Sequence, residues 1–95
     1  MPAYLIDDIE VNDPAAYEEY RKHVPEMIAS YGGKYLVRGG QTEPLEGSWL
    51  PRRMVVLEFP SMEKLRALYD SADYAPMKSL RMSASDSRIV AVEGL

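Results

Sequence analysis

The sequence predicts an α+β fold with the element order β-α-β-β-α-β. In four short segments apolar and polar residues alternate, which is the period-two pattern of strands that have two different faces. Between these segments, apolar residues instead recur at spacings of three and four, as on one face of a helix. The length of 95 residues suits a single compact unit, so we predict one domain over residues 1–95.

The first half of the chain predicts a strand, a helix and a second strand. The first strand covers residues 4–11, and Asp13 with Pro14 marks the helix start, because Asp accepts hydrogen bonds from free amides and Pro loses none there. Pro25 predicts a kink or break near residues 23–24, and Gly32–Gly33 predicts the helix end. The second strand covers residues 34–40. The apolar stripe of the helix contains Tyr17, Tyr20, Val24, Met27, Ile28 and Tyr31.

The second half predicts a long loop, a strand, a broken helix and a last strand. Residues 41–52 are rich in turn-forming residues, and residues 54–59 alternate as a strand. Ser61 is a suitable N-cap for the second helix. We expect a break near residues 70–71, a further helical piece over residues 72–82 and a short strand over residues 89–93.

This order of elements is typical of the ferredoxin-like arrangement, an antiparallel sheet with both helices on one face. The other face of the sheet would then be bare. A soluble monomer of this size seldom leaves such an apolar face in water, so we predict that a second copy covers it in a homodimer. The residues expected on the bare face are Tyr4, Ile6, Leu36, Met54, Val56 and either Ile89 or Ala91.

Composition excludes several classes of partner. The chain has 11 basic and 15 acidic residues, a net charge of −4, and its basic residues are scattered, so nucleic acid is not an expected partner. No apolar run approaches the roughly 20 residues that span a bilayer, and the first residues, Met1 to Tyr4, do not begin the basic segment and long apolar run of a signal peptide. We therefore expect a cytoplasmic protein. One histidine and no cysteine predict that the protein binds no transition metal, and we expect no cofactor.

Several runs closely resemble the family known as domain of unknown function 1330. They are residues 31–40 (YGGKYLVRGG), 45–49 (LEGSW), 57–61 (LEFPS) and 92–94 (VEG), with Asn12–Asp13–Pro14 and Tyr17 before them. The resemblance covers nearly the whole chain. It implies a dimeric α/β-barrel, in which two ferredoxin-like subunits pack sheet against sheet. Relatives of that superfamily include cofactor-free monooxygenases, muconolactone isomerase and haem-binding chlorite dismutase.

A few residues are candidates for chemistry. His23 is the only side chain with an ordinary pKa suited to proton transfer near neutrality, and the alternative is a surface or capping histidine. Arg38, Glu58 and Asp8 have the strand parity of the bare face and are predicted to form one row inside the dimer. That row either binds a polar small molecule or forms a structural ion-pair network.

The long loop contributes a second group of candidates. Trp49, with Arg52 and Arg53, either closes over a cavity that takes an anionic or planar ligand or packs against the partner subunit. Helix residues Tyr69, Tyr74 and Arg81 are expected to serve packing and surface pairing. The acidic residues Asp7, Asp8 and Glu10 are interpreted in part as a solvated strand edge.

Two functional hypotheses follow. The first is a homodimeric module that binds a small organic molecule, with His23, Arg38, Trp49, Arg53 and Glu58 as candidate ligand-binding residues. The second is a cofactor-independent enzyme of the monooxygenase or isomerase type, in which His23, Arg38 or Glu58 transfers a proton. The sequence contains no assembled catalytic triad or phosphate-binding loop, which favours the first hypothesis.

Overall fold

The computed structural model describes all residues, Met1 to Leu95. Its elements are β1 (Ala3–Val11), α1 (Pro14–Ser30), β2 (Lys34–Arg38), β3 (Met54–Phe59), α2 (Met62–Tyr69), α3 (Ala75–Ala84) and β4 (Ser85–Glu93). The four strands form one antiparallel sheet in the order β2-β3-β1-β4. The structure confirms the predicted α+β, ferredoxin-like fold.

Capping side chains begin two of the helices where the sequence predicted. The Asp13 carboxylate accepts a hydrogen bond from the Ala16 amide at 3.2 Å, and the Ser61 hydroxyl accepts one from the Lys64 amide at 3.1 Å. The break predicted near residues 23–24 is absent, because α1 continues through Pro25 to Ser30. The tertiary packing of its buried face outweighs the backbone hydrogen bond that proline cannot make.

The last helix and the last strand differ from their predicted bounds. α3 runs to Ala84, and β4 begins at once at Ser85, four residues before the predicted start at residue 89. The early part of β4 has the sequence Ser-Asp-Ser-Arg, which lacks the apolar alternation that marks a strand. It is a strand because it pairs with the end of β1, where Ser85 is opposite Val11.

All three helices lie on one face of the sheet and bury the core against it. Phe59 is fully buried, and its ring lies so close to Gly33 that a Cβ there would overlap it. The molecule is only 16 Å across its shortest dimension, which is consistent with one helix layer on one sheet. The apolar core consists of Ala3, Ile9, Tyr17, Val24, Ile28, Val55, Leu57, Phe59, Leu65, Leu68, Tyr74 and Ala84.

A β-bulge in β2 changes which way its last residues face. Tyr35 is opposite Leu57, but Val37 is opposite Val56, so Leu36 is an extra, unpaired residue. After the bulge the parity of the strand is reversed. Arg38 is therefore opposite Val55 and faces the helices, together with Tyr35. The prediction that Arg38 shares the bare face with Glu58 is wrong.

The second face of the sheet has no helix over it. Tyr4, Ile6, Met54 and Val56 lie on this bare face as predicted, since each neighbours a residue that is buried under the helices. On β4 the prediction is wrong. The residues opposite Tyr4 and Ile6 are Val92 and Val90, which are 47% and 59% exposed, whereas Ile89 is opposite Asp7 on the helix side, and Ala91 is opposite Leu5 there.

Candidate functional site

A cavity of about 50 Å³ lies between the sheet and the helices. That volume exceeds the roughly 15 Å³ that one water molecule requires. Half of its lining residues are aliphatic side chains from β1, β3, β4, α1 and α2. The remaining lining residues are one carboxylate, five phenols and three guanidiniums: Asp7, Tyr17, Tyr20, Tyr35, Tyr69, Tyr74, Arg21, Arg38 and Arg53.

The carboxylate of this cavity belongs to Asp7 in the central strand β1. Asp7 has the same parity as the core residues Ala3 and Ile9, and it is 5% exposed. Its Oδ1 has no hydrogen-bond partner, and no basic side chain lies within ion-pair distance. Burial raises the pKa of Asp7 to about 7, and the more distant positive charge of Arg81 only partly offsets that effect.

Two phenols and a buried guanidinium lie near Asp7. The Tyr20 and Tyr74 hydroxyls share a hydrogen bond of 2.7 Å, and their rings are in edge contact at 6.4 Å between centroids. Burial raises the pKa of Tyr20 far above its ordinary value, so this phenol stays protonated. Arg81, on α3, is 2% exposed, and its Nε and Nη2 have no hydrogen-bond partners. The expected surface pairing of Arg81 is therefore not observed.

Arg38 and Asp7 belong to one row across the sheet. Arg38 is opposite Val55, and Val55 is opposite Asp7, so the Cα atoms of Arg38 and Asp7 are separated by two interstrand spacings, about 10 Å. The guanidinium of Arg38 lies over the Tyr35 ring, 4.5 Å from its centroid. This row replaces the predicted row of Arg38, Glu58 and Asp8, and it lies on the opposite face of the sheet.

Arg53 lines the cavity beside Arg38. It precedes β3, and its carbonyl accepts a hydrogen bond from the Ile9 amide at 2.9 Å. Its guanidinium lies directly against the backbone of Gly39, where a Cβ would overlap Nη1. The Nε of Arg53 is buried without a partner. Two guanidiniums therefore lie at the β2–β3 side of the cavity, and one buried carboxylate lies on β1.

Two other predicted residues lie away from the cavity. His23 is on the exposed side of α1, and its side chain is 58% exposed, with Nε2 3.6 Å from Glu19 Oε2. Glu58 lies on the bare face, where its Oε1 pairs with Lys34 Nζ at 3.1 Å. Hydrogen bonds from Lys34 and Tyr4 lower the pKa of Glu58. The structure does not bring either residue together with Arg38 and Arg53.

Trp49 lies on the bare face as well, so it does not cover the cavity that Arg53 lines. Its Nε1 donates a hydrogen bond to Asp8 Oδ2 at 3.1 Å, and the Arg52 amide donates to Asp8 Oδ1 at 3.0 Å. The bond from Trp49 is the main cause that lowers the pKa of Asp8. Asp8 thus holds the long loop against the sheet, and an open groove runs from it along β4 past Arg88.

Sequence reasoning placed two cavity residues and missed the rest. Arg38 and Arg53 are both candidates predicted from the sequence, but Arg38 was expected on the bare face of the sheet and lies on the face under the helices. The prediction that Asp7 belongs to a solvated strand edge is wrong, since it is buried. Its parity with Leu5 and Ile9 is the signal for this, because a charged residue on a buried parity is rare and informative. Arg81 gave a weaker signal, because it lies one helical turn from Met77 on the inward face of α3.

The family assignment follows from the whole chain. The model of the family named Domain of unknown function (DUF1330) matches residues 2–95. The chain belongs to the DUF1330 family. No curated protein matches the chain significantly.

Solved structures share the fold of this DUF1330 chain at low identity. A protein of unknown function from Rhodopseudomonas palustris is 20% identical, with a TM-score of 0.80, over 99% of this chain and 82% of that one. SnoaB, a cofactor-independent oxygenase from Streptomyces nogalater, is 12% identical, with a TM-score of 0.68, over 99% and 93%. A dimeric ferredoxin-like protein of unknown function from Jannaschia sp. CCS1 is 10% identical, with a TM-score of 0.66, over 99% and 100%. These likenesses show the shared fold.

Proposed function

We propose that this DUF1330 protein is a homodimer in which each subunit binds a small organic molecule in the cavity between its sheet and its helices. The observation that carries the proposal is the unpartnered oxygen of Asp7 in the wall of an otherwise largely apolar cavity. Buried polar groups almost always have hydrogen-bond partners, and one that lacks a partner in a cavity is suited to a ligand.

The cavity favours a ligand with an apolar body and a small acidic group. Aliphatic and tyrosine side chains surround the space, and such walls favour an aromatic or other planar body. Arg38 and Arg53 lie at one side and favour a carboxylate or phenolate at that end of the ligand. The ligand class is therefore a small aromatic acid, a phenol or a quinone. A cavity that takes benzene measures roughly 150 Å³. The space of about 50 Å³ must therefore widen by movement of its lining side chains when such a ligand enters beside the exposed Arg38.

The apolar bare face supports the dimeric part of the proposal. Val90, Val92 and Val37 are between 39% and 59% exposed in the single chain, and they lie opposite Ile6, Tyr4 and Val56 on the same face. The face extends across the whole sheet, from edge strand β2 to edge strand β4, and no helix covers it. The Jannaschia protein with the same fold is described as dimeric. A second copy, packed sheet against sheet, would remove these side chains from water.

The binding proposal is tested by thermal unfolding with a panel of small aromatic carboxylates, phenols and quinones. A ligand that binds only the folded protein raises the melting temperature. The affinity of a carboxylate hit is then measured for Arg38→Met and for Arg66→Met. Both arginines are exposed and lie over a tyrosine ring, at 4.5 Å for Arg38 and 5.9 Å for Arg66, but only Arg38 lines the cavity.

Loss of the Arg38 guanidinium should weaken the binding of a carboxylate by about tenfold, the usual magnitude for one charge-assisted hydrogen bond. The Arg66→Met variant should bind as the unchanged protein does. A panel in which no compound raises the melting temperature would contradict the proposal, as would equal weakening by the two substitutions.

A second candidate function is that of a cofactor-independent enzyme of the oxygenase or isomerase type. The observation that favours it is again Asp7, because a carboxyl group whose pKa is about 7 can both accept and return a proton near neutral pH. His23 and Glu58, which the sequence suggested for proton transfer, lie outside the cavity.

A further inference from the structure

We infer that Asp7 is a proton acceptor for the molecule bound in the cavity, and that Arg38 and Arg53 stabilise the negative charge that remains on that molecule. The inference rests on the proposed binding function and adds the reaction. It assigns the class of substrate: a small planar molecule with an acidic C–H or O–H at one end and an oxygen that takes up negative charge at the other.

The cavity residues differ in whether they can take a proton. Apart from Asp7, the polar side chains that line the cavity are tyrosines and arginines. Phenols and guanidiniums ordinarily stay protonated at neutral pH, so they donate hydrogen bonds and do not act as bases. The only histidine lies on the outer surface of α1. Asp7 is therefore the one group in this cavity that can take a proton from a ligand.

The surroundings of Asp7 make it suited to accept a proton from a ligand. Its Oδ1 is buried and has no hydrogen-bond partner. A ligand that donates a proton to this oxygen therefore does not have to displace another hydrogen-bond donor. A carboxylate that is kept from water is a stronger base than one in solution, and burial gives Asp7 a pKa of about 7. In the acid form it can return the proton to the ligand.

The groups that face Asp7 set the charge balance of the site. The helices contribute phenols, one of which, Tyr20, is held protonated by burial. The positive charge of Arg81 lowers the pKa of Asp7, and the neighbouring Asp8 raises it, but both effects are smaller than that of burial. The titratable and charged groups around the cavity, besides Asp7 itself, are Tyr17, Tyr20, Tyr35, Tyr69, Tyr74, Arg21, Arg38, Arg53 and, near Asp7, Arg81.

The reaction is a proton transfer that balances without an oxidant or a reductant. The C–H or O–H bond of the bound molecule breaks, and its proton forms an O–H bond with Asp7. The electron pair stays on the molecule as an enolate or phenolate, whose oxygen faces the guanidiniums. Asp7 then gives the proton back at another atom of the same molecule, which isomerises it, or to water.

The test uses 5-nitrobenzisoxazole, a neutral planar compound of this class. When a base removes its one acidic C–H proton, the electron pair of that bond forms the nitrile and the ring N–O bond breaks. The oxygen keeps the electrons of the N–O bond and stays on the aromatic ring as a coloured phenolate. The base then releases the proton to water. The probe therefore reports a base in an apolar cavity directly, and its negative charge develops on an oxygen, as the inference requires. Rates are measured from pH 5 to pH 9.

Asp7→Asn removes the base with little change of shape, and Glu10→Gln is its matched control. Glu10 is a carboxylate on the same strand, exposed on the other face of the sheet. The unchanged protein and Glu10→Gln should convert the probe at the same rate, with a pH midpoint of about 7. Asp7→Asn should be slower by about 100-fold or more, the usual effect of a general base. Circular dichroism checks that both variants are folded.

Three results would overturn the inference in distinguishable ways. If aromatic ligands raise the melting temperature but Asp7→Asn converts the probe as fast as the unchanged protein, Asp7 is not the base, and the binding function stands. If the rate of conversion stays constant from pH 5 to pH 9, an ordinary exposed carboxylate that is already ionised at pH 5 is responsible, and the inference is wrong. If no ligand binds at all, the proposed function is wrong and the inference with it.

Discussion

Asp7 makes the stability of the protein depend on pH near neutrality. Its pKa rises from 3.8 to about 7 on folding, so the folded state favours the protonated carboxyl group. This stabilisation is fully present below about pH 4 and is lost as the pH rises through 7. Each unit of pKa corresponds to about 1.4 kcal/mol. The contribution of Asp7 to the free energy of unfolding should therefore fall by about 2 to 3 kcal/mol between pH 5 and pH 8.

We predict that Asp7→Asn removes this part of the pH dependence. Asn carries no charge at either pH. The free energy of unfolding of the variant, minus that of the unchanged protein, should therefore be larger at pH 8 than at pH 5 by about 2 to 3 kcal/mol. Urea unfolding at the two pH values measures the difference. If the gap between the two proteins is the same at both pH values, Asp7 does not titrate in this range and its described environment is wrong.

Gly39 is a second residue whose role can be isolated. It has φ of +72°, and a Cβ at this position would overlap the guanidinium of Arg53. We predict that Gly39→Ala destabilises the protein by about 1 to 2 kcal/mol, from the left-handed backbone alone, and also displaces Arg53 from the cavity. Urea unfolding measures the first effect, and the affinity for an aromatic carboxylate measures the second.

The neighbouring Gly40 provides the control for Gly39. It has no atom within 4 Å of a Cβ and no positive φ. Gly40→Ala should therefore leave stability and affinity nearly unchanged. Equal effects of the two substitutions would mean that neither the backbone conformation nor the contact with Arg53 matters.

The sequence predicted most of the fold because each element has a local signal. The caps at Asp13 and Ser61 and the alternation in β3 depend only on nearby residues, and the structure confirms them. The β-bulge has no such signal, because it depends on the register in which β2 pairs with β3. One unpaired residue therefore moved Arg38 to the opposite face and changed the site.

At the scale of elements, Asp8 supplies the side-chain hydrogen bonds that hold the loop between β2 and β3, in addition to the backbone bond from the Ile9 amide to the Arg53 carbonyl. Asp8 accepts hydrogen bonds from the Trp49 indole and from the Arg52 amide. We predict that Asp8→Ala speeds hydrogen exchange at the Arg52 amide by at least about fivefold, since a lost hydrogen bond of about 1 kcal/mol changes an opening equilibrium by that factor. Exchange monitored by NMR measures it.

Glu10→Ala is the control for the loop. Glu10 lies on the same face of β1 as Asp8 but makes no hydrogen bond to the loop. Exchange at the Arg52 amide should be unaffected in this variant. If the Asp8→Ala variant keeps full protection at this amide, other contacts hold the loop, and Trp49 has a different role.

At the scale of the whole molecule, the bare face predicts how a dimer can be broken. Val56 is at the centre of β3 on that face, opposite Ile6. In a dimer packed sheet against sheet, Val56→Asp would bury an unpaired carboxylate, which costs several kcal/mol. We predict that light scattering gives a dimer mass for the unchanged protein at micromolar concentration and a monomer or aggregate for the variant. A monomer mass for the unchanged protein would contradict the proposed dimer.

The central claim is that the ligand site lies under the helices, and the adjacent valines of β3 test it most directly. Val55 lines the cavity, whereas Val56 lies on the bare face of the sheet. The protein is labelled with ¹³C at its valine methyl groups and titrated with the strongest aromatic acid found by thermal unfolding. The account predicts that the Val55 methyl signals shift with the ligand, while those of Val56 stay in place. Shifts of Val56, with Val55 unchanged, would place the ligand on the other face and contradict the account.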